Sequence, residues 1–274
     1  MNEDLNTAGV TFVTSVNNRA VLENNFLISP CFQDGHPHQI LLQENFPSAA
    51  RAYNQALENS VHDLVIFAHQ DMIFPATWLA QVQDAITSLA RTDPHWGVLG
   101  VFGIDKHGEN VGYVYSTGQG RIGAPLASPQ PVQTLDEIVL ILRKSSGLRF
   151  NERLPHFHFY GVDICLAAQS RGMQSYTIPA FCIHNTQFNL VMPREFYESY
   201  HALKKIWKQY LPIQTTCIRM TRFDSHMYVR RLREFKLRHS HRKDIAIPRR
   251  QDGRQLLGEV EMSNSGSPAQ SPSR

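Results

Sequence analysis

Short apolar runs alternate with segments of helical periodicity along the first hundred residues of the chain. Residues 10–16 and 63–67 are rich in β-branched and aromatic side chains, as is the glycine-flanked run 97–103, and each predicts a buried strand. Residues 48–57 and 77–89 carry apolar side chains at the spacing of an amphipathic helix. Alternation of strands with helices favours a mainly parallel sheet with right-handed crossovers. The pattern therefore predicts one α/β domain.

The middle of the chain is less regular. Glycines and prolines are frequent in residues 108–131, which predicts loops and short, irregular strands. A strand-like run at 132–142 follows, and a helix is predicted over 160–171 with Gly172 just beyond its end. The run 176–183 predicts a final strand. The sheet therefore continues into the second half of the chain.

The charge changes towards the C-terminus. Residues 219–254 hold twelve Lys and Arg against four Asp and Glu, with aromatic side chains between them. The last residues are mostly Ser, Gly, Pro and Asn, which is a composition typical of disorder. We therefore predict a main domain over residues 8–215, a basic helical extension over 216–256 and a disordered tail over 257–274.

Composition and cysteine spacing narrow the class of protein. Apolar residues make up 42% of the chain and charged residues 19%, as in an ordinary globular protein. No apolar run approaches the roughly 20 residues of a membrane-spanning helix, and no apolar leader is present at the start. The four cysteines are far apart and form no metal-binding pattern, which argues against structural zinc. We therefore expect reduced thiols and a cytoplasmic location.

Residues that can act as metal ligands follow the predicted elements at three places. His69 and Asp71 come directly after the strand at 63–67, Asp163 lies near the start of a helix, and His184 ends the final strand. In open α/β sheets, ligands bind beyond the carboxyl ends of the strands. Asp71 and His184 could together hold Mg²⁺ or Mn²⁺ that arrives with a diphosphate, which would leave Asp163 to act as a base. The structural alternative is that each of these side chains only caps its strand or helix.

Five short motifs resemble, in their order along the chain, those of the GT-A nucleotide-sugar glycosyltransferases, close to the bacterial family-two-like group. The motifs are Ser15-Val16-Asn17, Ala49-Ala50-Arg51-Ala52-Tyr53-Asn54, Phe67-Ala68-His69-Gln70-Asp71, Gly161-Val162-Asp163-Ile164-Cys165-Leu166 and His184. The resemblance covers about residues 10–190. It implies the GT-A fold, a Rossmann-like, mixed and mainly parallel sheet flanked by helices, to which the basic helical extension would be added.

The resemblance also implies roles for individual residues. It implies donor-binding residues Ser15, Asn17, Arg51, Asn54, His69 and Asp71, metal ligands Asp71 and His184, and a catalytic base, Asp163. The sequence departs from the family twice, because His69 replaces the first Asp of the Asp-x-Asp motif and Val162 replaces the Glu of the Glu-Asp pair. The retained carboxylates, Asp71 and Asp163, are therefore the residues expected to carry the chemistry.

The implied activity is metal-dependent transfer of a sugar from a nucleoside diphosphate, with a UDP-sugar favoured, to an acceptor hydroxyl. The acceptor would be a glycan, a lipid-linked molecule or a protein, in polysaccharide or glycoconjugate synthesis. Direct displacement would invert the anomeric centre, and Asp163→Asn should abolish turnover while donor binding is kept. Two alternatives stay open, a nucleotidyltransferase that acts on a sugar phosphate and a non-catalytic relative that binds nucleotide sugars.

Two further features of the sequence allow more than one interpretation. Asp136, Glu137 and His158 could face the acceptor, or they could be ordinary polar residues of a surface turn and a loop. The basic segment 219–254 could be a solvated arm, or it could contact anionic lipid at the inner face of a membrane as a peripheral attachment. Binding of nucleic acid is not expected, because no recognised nucleic-acid-binding motif accompanies the charge.

Overall fold

The computed structural model describes residues 9–33, 35, 38–187, 191–239 and 249–265. The helices are α1 (Arg19–Asn24), α2 (Ala49–Asn59), α3 (Trp78–Thr92), α4 (Tyr160–Ser170), α5 (Arg194–Ile206), α6 (Ser225–His239) and α7 (Gly253–Ser265). The strands are β1 (Thr11–Val16), β2 (Gln39–Glu44), β3 (Leu64–His69), β4 (Met72–Ile73), β5 (Leu99–Gly100), β6 (Phe102–Ile104), β7 (Asn110–Ser116), β8 (Gly120–Gly123), β9 (Gln130–Val132), β10 (Thr134–Leu135), β11 (Val139–Arg143), β12 (Ser175–Thr177) and β13 (Ile183–His184).

The larger sheet has the strand order β2-β1-β3-β11-β5-β12-β9. Its first three strands are parallel, and β11 pairs with β3 in the opposite direction. The register between β1 and β3 places Ser15 opposite His69, so the ends of both strands meet at one edge of the sheet. This edge lies where the sequence predicts ligand binding.

A second, smaller sheet crosses this edge and has the order β10-β6-β7-β13-β4, with β8 paired to β7. Strand β13 runs antiparallel to β4, and His184 is opposite Met72 in the register. Because Met72 directly follows Asp71, this pairing brings His184 close to Asp71, although the two residues are more than a hundred positions apart in sequence. The second sheet therefore completes the edge that β1 and β3 begin.

Both faces of the larger sheet are buried. Val65 and Phe67 of β3 pack into one apolar cluster with α2, α4 and α5, whereas Ile66 and Ala68 pack into another with α1 and α3. Alternate residues of a strand point to opposite faces, so a continuous apolar strand is what a sheet covered on both sides requires. Trp78, the first residue of α3, is fully buried in the second of these clusters.

The structure differs from the sequence prediction in two segments. The strand-like run at 132–142 is divided into β10, a loop and β11, because the polar pair Asp136 and Glu137 interrupts it. The chain predicted to be disordered from residue 257 is helical as far as Ser265. Burial of Leu256 and Val260 against the second sheet explains this helix. Among the described residues, no helix is both long and apolar enough to span a bilayer.

Candidate functional site

His69, Asp71 and His184 form a cluster of metal-ligand type at the shared edge of the two sheets. One ligand atom from each residue lies within 4.8 Å of the others. The Asp71 Oδ1 atom is 3.4 Å from His184 Nε2 and 4.0 Å from His69 Nδ1. The Asp71 side chain is almost fully buried, whereas both imidazoles are partly accessible. The cluster can therefore be reached from solvent through its histidines.

Backbone hydrogen bonds hold the three residues in place. His69 donates its amide N–H to the carbonyl oxygen of Ile138 at 3.1 Å, and Asn185 donates its amide N–H to the carbonyl oxygen of Asp71 at 2.9 Å. Strand pairing between β13 and β4 fixes His184 beside them. The cluster is thus built on strand ends rather than on free loops, which favours a well-defined geometry.

Tyr160 determines which nitrogen of His69 faces the cluster. The Tyr160 hydroxyl donates its single proton to the carbonyl oxygen of Glu137 at 3.1 Å and lies 3.0 Å from His69 Nε2. A hydroxyl that donates to the Glu137 carbonyl accepts from the Nε2–H group of His69 when that ring is in its Nε2–H tautomer. This leaves Nδ1 of the neutral ring as a lone-pair donor directed towards Asp71, which is the arrangement found when a second residue orients a metal-binding histidine.

The electrostatics of the cluster keep Asp71 ionised. Burial raises the pKa of the Asp71 carboxyl, but the charge and hydrogen bond of His184, the charge of His69 and the hydrogen bond of Arg250 outweigh burial and hold this pKa well below its usual range. Burial lowers the pKa of His69, and Asp71 opposes that shift. An ionised Asp71 carboxylate is thus the expected state near neutral pH, and burial favours the neutral form of the His69 ring beside it.

These three residues fit a divalent cation. Two imidazole nitrogens and one ionised carboxylate oxygen form a ligand set that binds Mn²⁺ and other first-row metals, while Mg²⁺ prefers oxygen ligands alone. The Asp71 Oδ1 atom already faces both rings. The sequence prediction paired Asp71 with His184, and the structure adds His69 as a third ligand of the same candidate site.

A cavity of about 480 Å³ opens beside the cluster. It is lined by Ser15, Val16, Asn17, Gln43, Asn45, Phe46, Tyr53, His69, Gln70, Asp71, Phe157 and Tyr160. Gln70 holds one wall of the cavity in place, because its Oε1 atom accepts from the amide N–H groups of Asn17 and Asn18 at 3.2 and 3.1 Å. The cavity thus combines aromatic and amide side chains next to a cation site, which suits a nucleotide.

Four of the six predicted donor-binding residues line this cavity, and two do not. Arg51 is exposed on α2, 3.8 Å from the carboxylate of Glu152. Asn54 is buried, donates to the carbonyl oxygen of Phe150 at 2.9 Å and accepts from the amide N–H of Phe150 at 3.0 Å. The helix therefore turns Asn54 towards a neighbouring loop, and Tyr53 contacts the cavity in its place.

Asp163, the predicted base, is fully buried in the first turn of α4. Its Oδ1 atom accepts from the indole N–H of Trp207 at 2.7 Å, and its Oδ2 atom accepts from the amide N–H of Asn151 at 2.9 Å. Burial raises the pKa of Asp163 to about 6, although both hydrogen bonds oppose the shift. The role of Asp163 as base stays a prediction, and its packing favours a structural role.

Asp136 lines a second cavity of about 560 Å³ together with His184, one of the three residues of the cluster. Its Oδ2 atom accepts from the Thr216 hydroxyl at 2.6 Å, and its Oδ1 atom accepts from the amide N–H of Ile138 at 3.2 Å. The side chain keeps partial access to solvent. Asp136 therefore combines an oriented carboxylate with access to the cluster.

The other two residues predicted to face the acceptor have different surroundings. The Glu137 carboxylate accepts from the amide N–H groups of Phe159 and Gly161 at the start of α4, and burial together with Asp136 raises its pKa to about 8. His158 packs against the ring of Phe196, with ring centroids 5.5 Å apart, and burial lowers its pKa to about 4. Glu137 therefore caps a helix, and His158 packs on α5.

Sequence reasoning missed several residues of the site. Gln70 lies within one of the five motifs and Tyr160 directly precedes another, but a sequence pattern gives no sign of where their side chains point. Asn185 directly follows the candidate ligand His184, but only the structure shows that its side chain is completely buried. Arg250 donates from Nη2 to Asp71 Oδ2 at 2.9 Å, and no local pattern links two residues so far apart.

Comparison with known families gives a match over most of the chain. Residues 11–210 match the model of a family described as "Glycosyltransferase like family". The matched range includes His69, Asp71 and His184 but ends before Arg250.

Comparison with curated proteins and solved structures gives more distant likenesses. A protein described as "ATP synthase subunits region ORF 6" of Fuscovulum blasticum is 28% identical over 142 residues, 48% of this chain and 55% of that protein. The crystal structure of GalNAc-T7 with UDP, GalNAc and Mn²⁺ has a TM-score of 0.50 at 8% identity, over 98% of this chain and 59% of that one. S. aureus TarS 1–349 has a TM-score of 0.44 at 12% identity, over 72% and 64% of the two chains. The chain thus spans little more than half the length of the first two proteins, and the structural likeness shows the fold alone.

Proposed function

Because the chain belongs to the glycosyltransferase-like family, we propose that it is an enzyme that moves a sugar from a nucleoside diphosphate to an acceptor hydroxyl in the presence of a divalent cation. The observation that carries this proposal is the cluster of His69, Asp71 and His184, whose ligand atoms lie within 4.8 Å of one another. Two of these residues also line a cavity of about 480 Å³, so a cation and a nucleotide would be neighbours.

The donor would bind in the cavity beyond the carboxyl ends of β1 and β3. Ser15 and Asn17 line its wall, and the exposed ring of Phe157 offers an aromatic face for a nucleoside. The diphosphate would then point towards Asp71 and the two histidines. We favour a UDP-sugar with Mn²⁺, the nucleotide and ion named for GalNAc-T7, as the first donor to test.

His69, Asp71 and His184 would hold the cation. Such an ion supplies Lewis-acid stabilisation of the charge that builds up on the leaving diphosphate. The chain's own contribution is to orient the ligands, through Tyr160 at His69 and through strand pairing at His184. Burial of the Asp71 side chain strengthens its interaction with a cation by excluding water.

We propose Asp136 as the base, in place of Asp163. Asp136 and His184 line the same cavity of about 560 Å³, and the acceptor would approach the sugar from this cavity. It would take the proton of the acceptor hydroxyl while the oxygen attacks the anomeric carbon and the bond to the diphosphate breaks. A direct displacement of this kind inverts the anomeric centre. The acceptor would be a glycan, a lipid-linked molecule or a protein.

Calorimetric titration of the full chain with UDP, GDP, ADP, CDP and dTDP, with and without Mn²⁺, tests the donor proposal. We expect one of these nucleotides to bind, and to bind at least tenfold more weakly without Mn²⁺ or in Asp71→Asn. Asp84→Asn, a change at an exposed position of α3, is the matched control and should bind as the wild type does.

Three outcomes would contradict the proposal. Failure of all five nucleotides to bind would favour a non-catalytic protein of another specificity. Binding that Mn²⁺ does not change would remove the metal from the mechanism. Release of pyrophosphate from a nucleoside triphosphate and a sugar phosphate would identify a nucleotidyltransferase instead.

We further propose that α6 contacts anionic lipid at the inner face of a membrane. Tyr228, Leu232 and Phe235 follow one another at helical spacing and are 65%, 56% and 59% exposed. They form a stripe flanked by exposed basic side chains, namely Arg231, Arg233 and Lys236. An apolar stripe between basic residues is typical of helices that lie in the membrane interface.

Sedimentation with lipid vesicles tests this contact. The chain should bind vesicles that contain phosphatidylglycerol, and it should bind phosphatidylcholine vesicles much less, with a loss of binding at high salt. Leu232→Asp should weaken binding, whereas Val61→Asp, at another exposed apolar residue outside α6, should not. Equal binding to both kinds of vesicle, or no difference between the two variants, would rule the contact out.

A further inference from the structure

Arg250, which lies shortly before α7, brings a positive charge to the candidate metal site. Arg250 donates from Nη2 to Asp71 Oδ2 at 2.9 Å and from Nε to the carbonyl oxygen of Asn185 at 3.0 Å. Its side chain is 31% exposed, so it lies at the surface of the site rather than inside the core. Arg250 follows the range matched by the family by forty residues.

Arg250 and the two histidines use different oxygens of the same carboxylate. Oδ1 of Asp71 faces His184 Nε2 at 3.4 Å and His69 Nδ1 at 4.0 Å, whereas Oδ2 accepts from Arg250. The guanidinium therefore leaves the candidate ligand atom open. It also fixes the rotation of the carboxylate, as residues around a metal ligand commonly do.

Several contacts anchor the segment that carries Arg250. Asn185, which is fully buried, donates from Nδ2 to the carbonyl oxygen of Gln251 at 2.8 Å and accepts at Oδ1 from the Gln251 amide N–H at 3.1 Å. Leu256 and Val260 of α7 pack against Ile73 and Ile183, the neighbours of the site in β4 and β13. The guanidinium is thus held by strands that also hold the metal ligands.

One edge of the guanidinium is left for a ligand. Nε and Nη2 are used by Asn185 and Asp71, and among the described residues Nη1 has no hydrogen-bond acceptor. Arginine binds phosphate oxygens through two adjacent N–H groups of its planar fork. The free edge of the Arg250 guanidinium lies beside Asp71, whose other oxygen faces the candidate cation site. A diphosphate bound to that cation would need a second positive charge at this position.

We propose that Arg250 is a diphosphate-binding residue, which the C-terminal segment supplies to complete the donor site. The inference rests on the proposed function, because it requires a diphosphate at the cluster of His69, Asp71 and His184. Arg250 would contact the phosphate oxygens directly and, together with the cation, would stabilise the charge of the leaving group.

Titration of the full-length variants with Mn²⁺ alone and with inorganic pyrophosphate in saturating Mn²⁺ tests the proposal. Pyrophosphate is used because it needs no knowledge of the nucleoside. Arg250→Ala should weaken pyrophosphate binding about tenfold or more, the scale of one lost charge-assisted hydrogen bond. Mn²⁺ alone should bind Arg250→Ala as tightly as the wild type or more tightly, because a positive charge has left its neighbourhood.

Three further variants separate contact with the ligand from support of the fold. Arg254→Ala, at an exposed position in the first turn of α7, should leave both affinities unchanged. Arg250→Lys keeps the charge but loses the fork and should give an intermediate affinity for pyrophosphate. Leu256→Asp should release α7 and reproduce the loss seen in Arg250→Ala, and the double variant should be no weaker than Leu256→Asp alone.

The outcomes that overturn the proposal are distinct from failure of the proposed function. Unchanged or tighter pyrophosphate binding in Arg250→Ala would show that Arg250 does not bind the diphosphate and only covers the site. Parallel weakening of Mn²⁺ and pyrophosphate would assign Arg250 a purely structural role. A wild-type chain that binds neither Mn²⁺ nor any diphosphate would refute the proposed function itself, and the inference with it.

Discussion

Asp136 and Asp163 show how much the surroundings of a carboxylate decide its use. Both oxygens of Asp163 accept hydrogen bonds in a buried pocket formed by Trp207 and Asn151. Asp136 is oriented by Thr216 but keeps access to the cavity that holds His184. A base must reach the proton that it removes, so the two residues differ in fitness for that role even though they are chemically identical.

We predict that Asp136→Asn lowers kcat by about 10²–10⁴, the usual contribution of a positioned base, and leaves the affinity for the donor nearly unchanged. Asp163→Asn should keep kcat within about tenfold at temperatures where it is folded, since it lies outside the cavities beside the cluster. Turnover of the proposed donor by both variants measures the difference. A folded but inactive Asp163→Asn, together with an active Asp136→Asn, would return the base to Asp163.

Glu137 gives the fold a pH dependence of predictable sign. Burial and Asp136 raise its pKa from 4.5 to about 8. The folded chain then binds a proton that the unfolded chain has lost, so the stability that Glu137 contributes is complete below about pH 4.5 and disappears as the pH rises through about 8.

We predict that Glu137→Gln removes this dependence. The free energy of unfolding of this variant, compared with that of the wild type, should rise between pH 5 and pH 9. The rise should reach up to a few kcal/mol, because each unit of difference between the folded and unfolded pKa contributes about 1.4 kcal/mol. Urea unfolding of both proteins at several pH values measures the change. Glu109→Gln, at an exposed position, is the control, and parallel curves for all three proteins would contradict the prediction.

At the scale of elements, the docking of α7 depends on a close approach at its first residue. A Cβ atom on Gly253 would lie 1.8 Å from the carbonyl oxygen of Asn24 at the end of α1. Backbone cannot move aside as a flexible side chain can, so only glycine allows this contact. Gly258, in the same helix, has nothing within 4 Å of the corresponding position.

We predict opposite effects of alanine at these two glycines. Gly253→Ala should loosen α7, with faster amide hydrogen exchange in the helix and weaker pyrophosphate binding. Gly258→Ala should leave binding unchanged and strengthen the helix by up to about 1 kcal/mol, the difference between glycine and alanine in a helix interior. Hydrogen exchange followed by mass spectrometry measures both. Equal protection of α7 in the two variants would show that the contact with Asn24 does not hold the helix.

At the scale of the whole molecule, the family and the GT-A fold class predicted from the sequence are confirmed. The parallel strands at the start follow from apolar runs and turns, which are local signals. The partners of Asn54 and Asp163 could not be predicted, because the direction of a side chain depends on loops that fold onto its helix. The contact of Arg250 with Asp71 could not be predicted for another reason, because the two residues are 179 positions apart in sequence. Long-range pairs of this kind leave no periodicity in the sequence.

The separation of 179 residues between Asp71 and Arg250 has a consequence for the protein during its synthesis. At about 5–20 residues per second, a ribosome adds Arg250 roughly 9–36 s after Asp71. Late in this interval, after His184 has been added, the emerging chain can pair its early strands and bring His184 to Asp71, but Arg250 is still missing. If Arg250 binds the leaving diphosphate, a chain that ends before Arg250 would bind metal and nucleotide but turn the donor over slowly. Full activity would begin only when α7 packs against β4 and β13. The order of translation would then delay catalysis until Arg250 has been added and α7 has packed.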